Sequence, residues 1–258
     1  MSRSLRIVLK FGSGILANAK GSGLDEKQFK RLTGEVAALN QKGHQCVLVS
    51  SGAVAAGLGV LGLKARPEGL AERQACAAVG QSKLMESYTR HFAVHHLNVA
   101  QLLLTHSDLD SRTRLHNARN TLEHLLSRRV VPIINENDSV AVEELKFGDN
   151  DRLSAEVALL AHADILILLT SVDGLLDANG QTIRMVDNVD DVSGFAREEK
   201  GKFSVGGMSS KLQAVKQAVE GGILTHIASG RKSGQIPAII AGKPAGTKFN
   251  PRTTLPSS

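Results

Sequence analysis

The chain of 258 residues has no tryptophan, one tyrosine and only 3% aromatic residues in all. Proteins that hold single-stranded nucleic acid stack its bases on aromatic side chains, so this scarcity removes that class of function. Cysteine is nearly absent too. Cys46 and Cys76 lie in a strand-like and a helix-like apolar context with no second thiol nearby, which excludes a redox pair or zinc knuckle and makes both core residues. No uninterrupted apolar run reaches the ~18 residues that cross a bilayer. The opening MSRSLRIVLKFG also lacks the apolar segment and small-residue cleavage site of a signal peptide, so a soluble, cytoplasmic protein with no membrane partner is expected.

What is present is a 42% hydrophobic content, enough for a substantial core, and a formal charge of +6 with a pI near 9.4. The basic residues are spread along the chain rather than gathered in one block. That distribution suits small phosphorylated or carboxylated ligands better than nucleic acid.

The most informative stretch is VVPIINENDSV, residues 130–140, with KFGDNDRLSA, residues 146–155. An apolar, β-branched run ends at Ile134 and empties into Asn135, Glu136, Asn137, Asp138, Glu143, Glu144, Asp149, Asn150 and Asp151. In open α/β sheets ligands bind outside the carboxyl ends of the strands, so this is where a polar small molecule would sit. Asn, Asp and Gly also fill loops for conformational reasons alone, and the motif by itself leaves both readings open.

The first strand, LRIVLKF at residues 5–11, is broken by Gly12 and Gly14. GSGILA formally satisfies the dinucleotide fingerprint G-x-G-x-x-A, but the next helical pattern starts only near Asp25 and the second strand, CVLVSSG, ends in Ser50 and Ser51 instead of an acid; a decoy is expected. Lys10 stands near the carboxyl end of the first strand. A lysine in a β-run ordinarily faces solvent, yet the following glycines let backbone N–H groups approach phosphate oxygens. Residues 25–42 place Phe29, Leu32, Val36 and Leu39 on one helical face. SSGA, residues 50–53, leads into small residues, where a serine would either cap a helix or meet a carboxylate.

Residues 70–96 read as one long helix or two abutting ones, and His91, His95 and His96 as a polar helix end, since no third ligand at useful spacing supports a metal. VAQLLLT, residues 99–105, is the third strand. Residues 108–129 form a basic amphipathic helix whose Arg112, Arg114, Arg119, Arg128 and Arg129 make a solvated face. A helix at residues 153–161 precedes DILILLT, residues 164–170, apolar as a strand covered on both faces must be. SVDGLLDANGQTI marks a turn or hairpin, and residues 187–204 a charged segment, either a lid or an ordinary surface loop. In VGGMSSKLQAVKQAVEGG, residues 205–222, paired glycines run into a helix with Ser209, Ser210 and Lys211 in its first turn, a phosphate cradle that is not the G-x-x-x-x-G-K-[ST] pattern. ILTHIAS is the last strand, followed by a short helical stretch and GTKF. The expected architecture is α/β, a three-layer αβα sandwich with a mostly parallel central sheet, as one domain over residues 1–250 and a frayed tail at 251–258.

Taken in order, LVSSGAVAAG, HNARNTL, VVPIINENDSV, FGDNDRLSA, LLTSVDGL and GGMSSK make the chain resemble the amino acid kinase family from residue 5 to about residue 249. The combination is most similar to the branch that phosphorylates the γ-carboxylate of L-glutamate in the first step of proline synthesis. The resemblance implies the amino acid kinase fold and MgATP as co-substrate, with Mg2+ and no protein-held metal. It implies glutamate at Ser51, Asp138 and Asn150, Lys10 and Lys211 flanking the transferred phosphoryl group, and Asp151 holding both lysines. The implied nucleotide contacts are Lys10, Thr170 and Ser171, with Val205, Gly206, Gly207, Met208, Ser209, Ser210 and Lys211. It further implies feedback inhibition by proline, hand-over of product to glutamyl phosphate reductase, and a homo-oligomer, dimer or tetramer. Ser171 stands where relatives commonly have Asp, and Val205 replaces a frequent Thr or Gly. Many bacterial relatives continue into a C-terminal PUA domain; a short form without it is expected here. The alternatives within the fold are kinases for acetylglutamate, aspartate, carbamate or UMP, and a sensor that binds glutamate or proline without catalysis.

Overall fold

The computed structural model describes residues 3–141, 150–195 and 207–251. One eight-stranded sheet organises them, built from β1 (Arg6–Phe11), β2 (Gln45–Ser50), β3 (Val99–Leu104), β4 (Val131–Glu136), β5 (Ile165–Thr170), β6 (Met185–Val186), β7 (Leu224–Ser229) and β8 (Thr247–Phe249). The spatial order is β3-β4-β2-β1-β5-β7-β8-β6, and every pairing except β7 with β8 is parallel. β1 therefore lies between β2 and β5, and successive crossovers leave it in opposite directions. That reversal opens a crevice at the carboxyl ends of β1 and β5.

Strand periodicity divides the core in two. Ile7, Leu9 and Phe11 pack on one face with Phe29, Leu32 and Val36 of α2 (Glu26–Gln41) and Leu84, Tyr88 and Phe92 of α4 (Leu70–Ala93). Val8, Val47, Val49, Leu166 and Leu168 face the other way, toward α6 (Arg112–Ser127), α7 (Asp151–Leu160) and α8 (Met208–Glu220). Because a parallel sheet is covered on both faces, β5 has six buried residues in a row. The same alternation answers the question left open at Lys10: it shares the face of Val8, beneath α7, and is 1% exposed. A strand with no solvent face offers its lysine none.

Some elements differ from expectation. Ser13–Leu16 forms a single helical turn, α1, on the glycines of GSGILA, earlier than the helix expected near Asp25. Residues 108–129 are not one helix: α5 (His106–Asp110) ends at Ser111, whose extended backbone (φ −83°, ψ 114°) separates it from α6. The cause is local, because the Asp108 carboxylate accepts hydrogen bonds from the Thr105 N–H (2.8 Å) and hydroxyl (2.7 Å) and so fixes its own short turn. β4 runs two residues past Ile134, making Asn135 and Glu136 buried strand residues. GTKF adds β8, antiparallel to β7, and the segment expected as a charged loop begins with a 3-10 helix, Val189–Phe195, while residues 196–204 lie outside the described residues. The stretch read as one long helix or two forms one, α4, which ends at Ala93, and the turn at 172–184 is a hairpin in which Asp177 accepts from the N–H groups of Asn179 and Gln181. The short helix before GTKF is α9 (Gln235–Ile240).

α3 (Ala53–Leu61) and α4 cross with their backbones in contact. A Cβ on Gly80 would lie 1.8 Å from the Ala53 carbonyl oxygen, and one on Gly57 1.9 Å from that of Cys76. Only glycine permits that approach. α3 is capped by Gly52 at φ 103°, with no serine side chain in the cap.

Candidate active site

The carboxyl ends of β1, β2, β4 and β5 deliver Lys10, Ser50, Glu136 and Thr170 to one edge, and the first turns of α7 and α8 meet there. Asp151 opens α7 and is fully buried. One of its carboxylate oxygens lies 2.8 Å from the Lys10 ammonium; the other lies 3.3 Å from that of Lys211 and accepts the Ser210 hydroxyl at 3.0 Å. The Gly207 carbonyl, also 3.0 Å from the Ser210 hydroxyl, is a second acceptor for its one proton. Lys211 is 7% exposed. Within this trio two positive charges share one negative charge, at the positive ends of two helices. Such a cluster is built to receive an anion.

The neighbouring group of residues, where an amino acid is expected, is different in kind. Asn150, 6% exposed, sits at the N-cap position of α7 without capping it. Its amide nitrogen donates to the Ser50 carbonyl and, at 2.6 Å, to the Asn135 side-chain oxygen. That oxygen also accepts the Glu136 N–H (2.9 Å), and the Asn135 nitrogen donates to Gln81 (2.8 Å), whose own nitrogen donates to Gln101 (2.8 Å). Ser51 is half-buried in the turn after β2, its N–H donating to the Phe11 carbonyl at 3.0 Å. Asp138 is half-buried in the turn after β4, within electrostatic reach of Arg66.

Of the residues expected at the site, Lys10, Asp151, Ser210 and Lys211 form one cluster, and Asn150 adjoins it as the neighbour of Asp151. Thr170 is buried at the end of β5 and Ser171 exposed immediately after it. Gly207 is the N-cap of α8, Met208 is buried and Ser209 exposed. Val205 and Gly206, and with them Glu143 and Glu144, lie outside the described residues.

Sequence reasoning missed three residues of α4. Gln74 donates to the Ala141 carbonyl beyond β4 (3.3 Å), Gln81 accepts from Asn135, and the Tyr88 hydroxyl meets that of Ser50 at 2.8 Å. Burial pushes the Tyr88 phenol up, so it stays protonated. The spacing of seven, two helical turns, puts all three on one face, and that repeat was the available signal.

Residues 5–229 match the amino acid kinase family. The chain belongs to that family. This amino acid kinase family member is 46% identical over 258 residues to the glutamate 5-kinase of Desulfitobacterium hafniense (strain Y51), an alignment covering 97% of this chain and 70% of the relative. It is 47% identical over 249 residues to glutamate 5-kinase 1 of Bacillus licheniformis, covering 94% and 68%. Among solved structures, carbamate kinase of Giardia superposes with a TM-score of 0.66 at 16% identity, covering 96% of this chain and 99% of that one. UMP kinase of Bacillus anthracis does so at 0.61 and 15%, covering 98% and 99%. At that identity the structures speak for the fold alone, an amino acid kinase αβα sandwich.

Proposed function

We propose that the protein transfers the γ-phosphoryl group of MgATP to the γ-carboxylate of L-glutamate, giving ADP and γ-glutamyl phosphate, the first step of proline synthesis. The observation that carries the reading is the buried trio of Lys10, Asp151 and Lys211 at the crevice beside β1. The glutamate named by the relatives supplies the substrate.

A γ-carboxylate is already an anionic nucleophile, so no general base is needed. The difficulty is to bring two anions into line and to stabilise charge that spreads over the transferring phosphoryl group. Lys10 from the strand and Lys211 from the helix provide two ammoniums, and Asp151 holds each by a separate oxygen. In this reading Thr170, Ser171 and the start of α8 take the nucleotide. Asp138 meets the α-ammonium of the substrate in the same reading, and Ser51 and Asn150 contribute further polar contacts to it.

Magnesium fits as a companion of the nucleotide. Among the described residues no group of three or more His, Cys, Asp or Glu side chains is arranged to hold a metal, and the carboxylate at the centre of the site is engaged by two lysines and a serine. A magnesium ion carried in with ATP would supply charge neutralisation at the phosphates, while Asp151 stays with the two lysines. The same reading takes proline as inhibitor, a dimer or tetramer as the working form, and glutamyl phosphate reductase as the consumer of the labile acyl phosphate.

Incubation with MgATP, L-glutamate and hydroxylamine should yield the γ-hydroxamate. Hydroxamate from aspartate or acetylglutamate but not glutamate would move the assignment to a sister kinase, and none from any of them would leave a binding protein.

A further inference from the structure

The amide file at the amino-acid end has a fixed direction, because a backbone group that cannot reverse its role holds each of its two inner members. The Ser50 carbonyl can only accept, so the side chain of Asn150 must turn its nitrogen toward it. The Glu136 N–H can only donate, so Asn135 must turn its oxygen toward that group and, with the same oxygen, toward Asn150. Both N–H bonds of the Asn150 amide are thereby engaged within the protein, and its oxygen is the atom left to address a ligand. The nitrogen of Asn135 then requires an acceptor, and Gln81 provides it at 2.8 Å. Gln81 stands directly after Gly80, the residue whose missing side chain lets α4 touch the start of α3 beyond Ser51 and Gly52.

We infer that Gln81 is a positioning residue for the amino-acid end of the site: by accepting from Asn135 it holds in place the side chain whose polarity the Glu136 N–H sets, and so steadies Asn150 with its oxygen toward the α-ammonium of the substrate. The inference rests on the proposed glutamate site and adds a residue of α4 that reaches no substrate itself. It predicts a preference for a donor at the α-nitrogen, and it makes that preference depend on a hydrogen bond two residues removed from the ligand.

Two variants separate positioning from packing. Gln81→Leu keeps the bulk but removes the acceptor, and should raise the KM for glutamate about tenfold, the loss of one largely buried hydrogen bond, while the KM for ATP changes less than about twofold. Gln81→Glu keeps an acceptor for Asn135, and the exposed Gln101 can turn its own amide to donate; its KM for glutamate should return to within about threefold of the parent value. A second reading is independent of turnover: the side-chain amide signals of Asn150 in a 1H–15N spectrum should shift or broaden in Gln81→Leu and hold in Gln81→Glu. An unchanged glutamate KM in Gln81→Leu, an equal rise for ATP and glutamate in both variants, or an unmoved Asn150 signal overturns the inference. If the parent protein makes no γ-glutamyl hydroxamate, the proposed function fails, and the Asn150 signal still decides the role of Gln81.

Discussion

At the end proposed for phosphate, Lys10, Asp151 and Lys211 come from a strand and two helix starts and meet almost wholly out of water; at the end proposed for the amino acid, neutral amides run in file from Asn150 to the surface of α4. The first arrangement relies on Coulomb attraction in a dry setting, which is strong, weakly directional and intolerant of losing a member. The second relies on hydrogen-bond polarity, which is weaker per contact but decides which atom faces the ligand. In the proposed reaction a phosphoryl group in flight changes shape and charge, and two ammoniums held on one carboxylate meet that charge from two sides without strict directionality. An amino acid does not change at its α-carbon, and a fixed oxygen suffices.

The largest test of this contrast is Lys211→Ala, which should lower kcat by about 10² to 10³, the cost of one transition-state donor, with the KM for glutamate nearly unchanged. Near-normal turnover in steady-state assays would remove Lys211 from the mechanism. Asp138→Ala should act at the other end, raising the KM for glutamate roughly ten- to a hundredfold, as expected for a charged hydrogen-bonding partner, with kcat less affected. A KM for glutamate equal to that of the parent would displace Asp138 from the amino-acid site.

The two ends were also unequally legible. Lys211, Asp151 and Asn150 stand out because glycines, hydroxyls and carboxylates gather where an apolar run stops, a pattern local in sequence. The inward turn of Lys10 was not legible, because it depends on helices from distant parts of the chain covering both faces of the sheet. Gln74, Gln81 and Tyr88 escaped because glutamines on an amphipathic helix read as solvated, and nothing in their neighbourhood announces Ser50 or Asn135 as partners. β8 escaped for a related reason: Thr247–Phe249 is a strand because β7 offers it an edge, not because three residues declare one. The parallel core, by contrast, was plain in runs such as ILILLT.

A smaller effect should follow from Gly80→Ala. The added methyl would lie 1.8 Å from the Ala53 oxygen and 2.4 Å from the Gly57 nitrogen, so α3 and α4 must part. Overpacking of this kind costs about 1–3 kcal/mol, measurable by urea unfolding. Because α4 carries Gln81 and Tyr88, the KM for glutamate should rise several-fold with that for ATP unaffected. Equal rises for both substrates would mean that α4 supports the whole site and not one end of it.

His226 supplies a control that belongs to neither end. It lies in the middle of β7, paired in register with Lys248 of β8, and burial pushes its imidazole down to about 4, with the Lys248 charge adding to the effect and a hydrogen bond to the Ala245 backbone opposing it. The folded protein thus refuses a proton that the unfolded chain accepts below its ordinary value of about 6.5. Stability from this group is complete above pH 6.5 and falls as the pH drops toward 4, by at most about 3 kcal/mol. Urea unfolding at pH 7.5, 5.5 and 4.5 should show this slope in the parent and a flatter one in His226→Gln, with the two KM values of the variant unchanged at pH 7.5. An identical slope in both proteins would assign the acid sensitivity elsewhere, and a selective change in one KM would tie β7 to that end of the site.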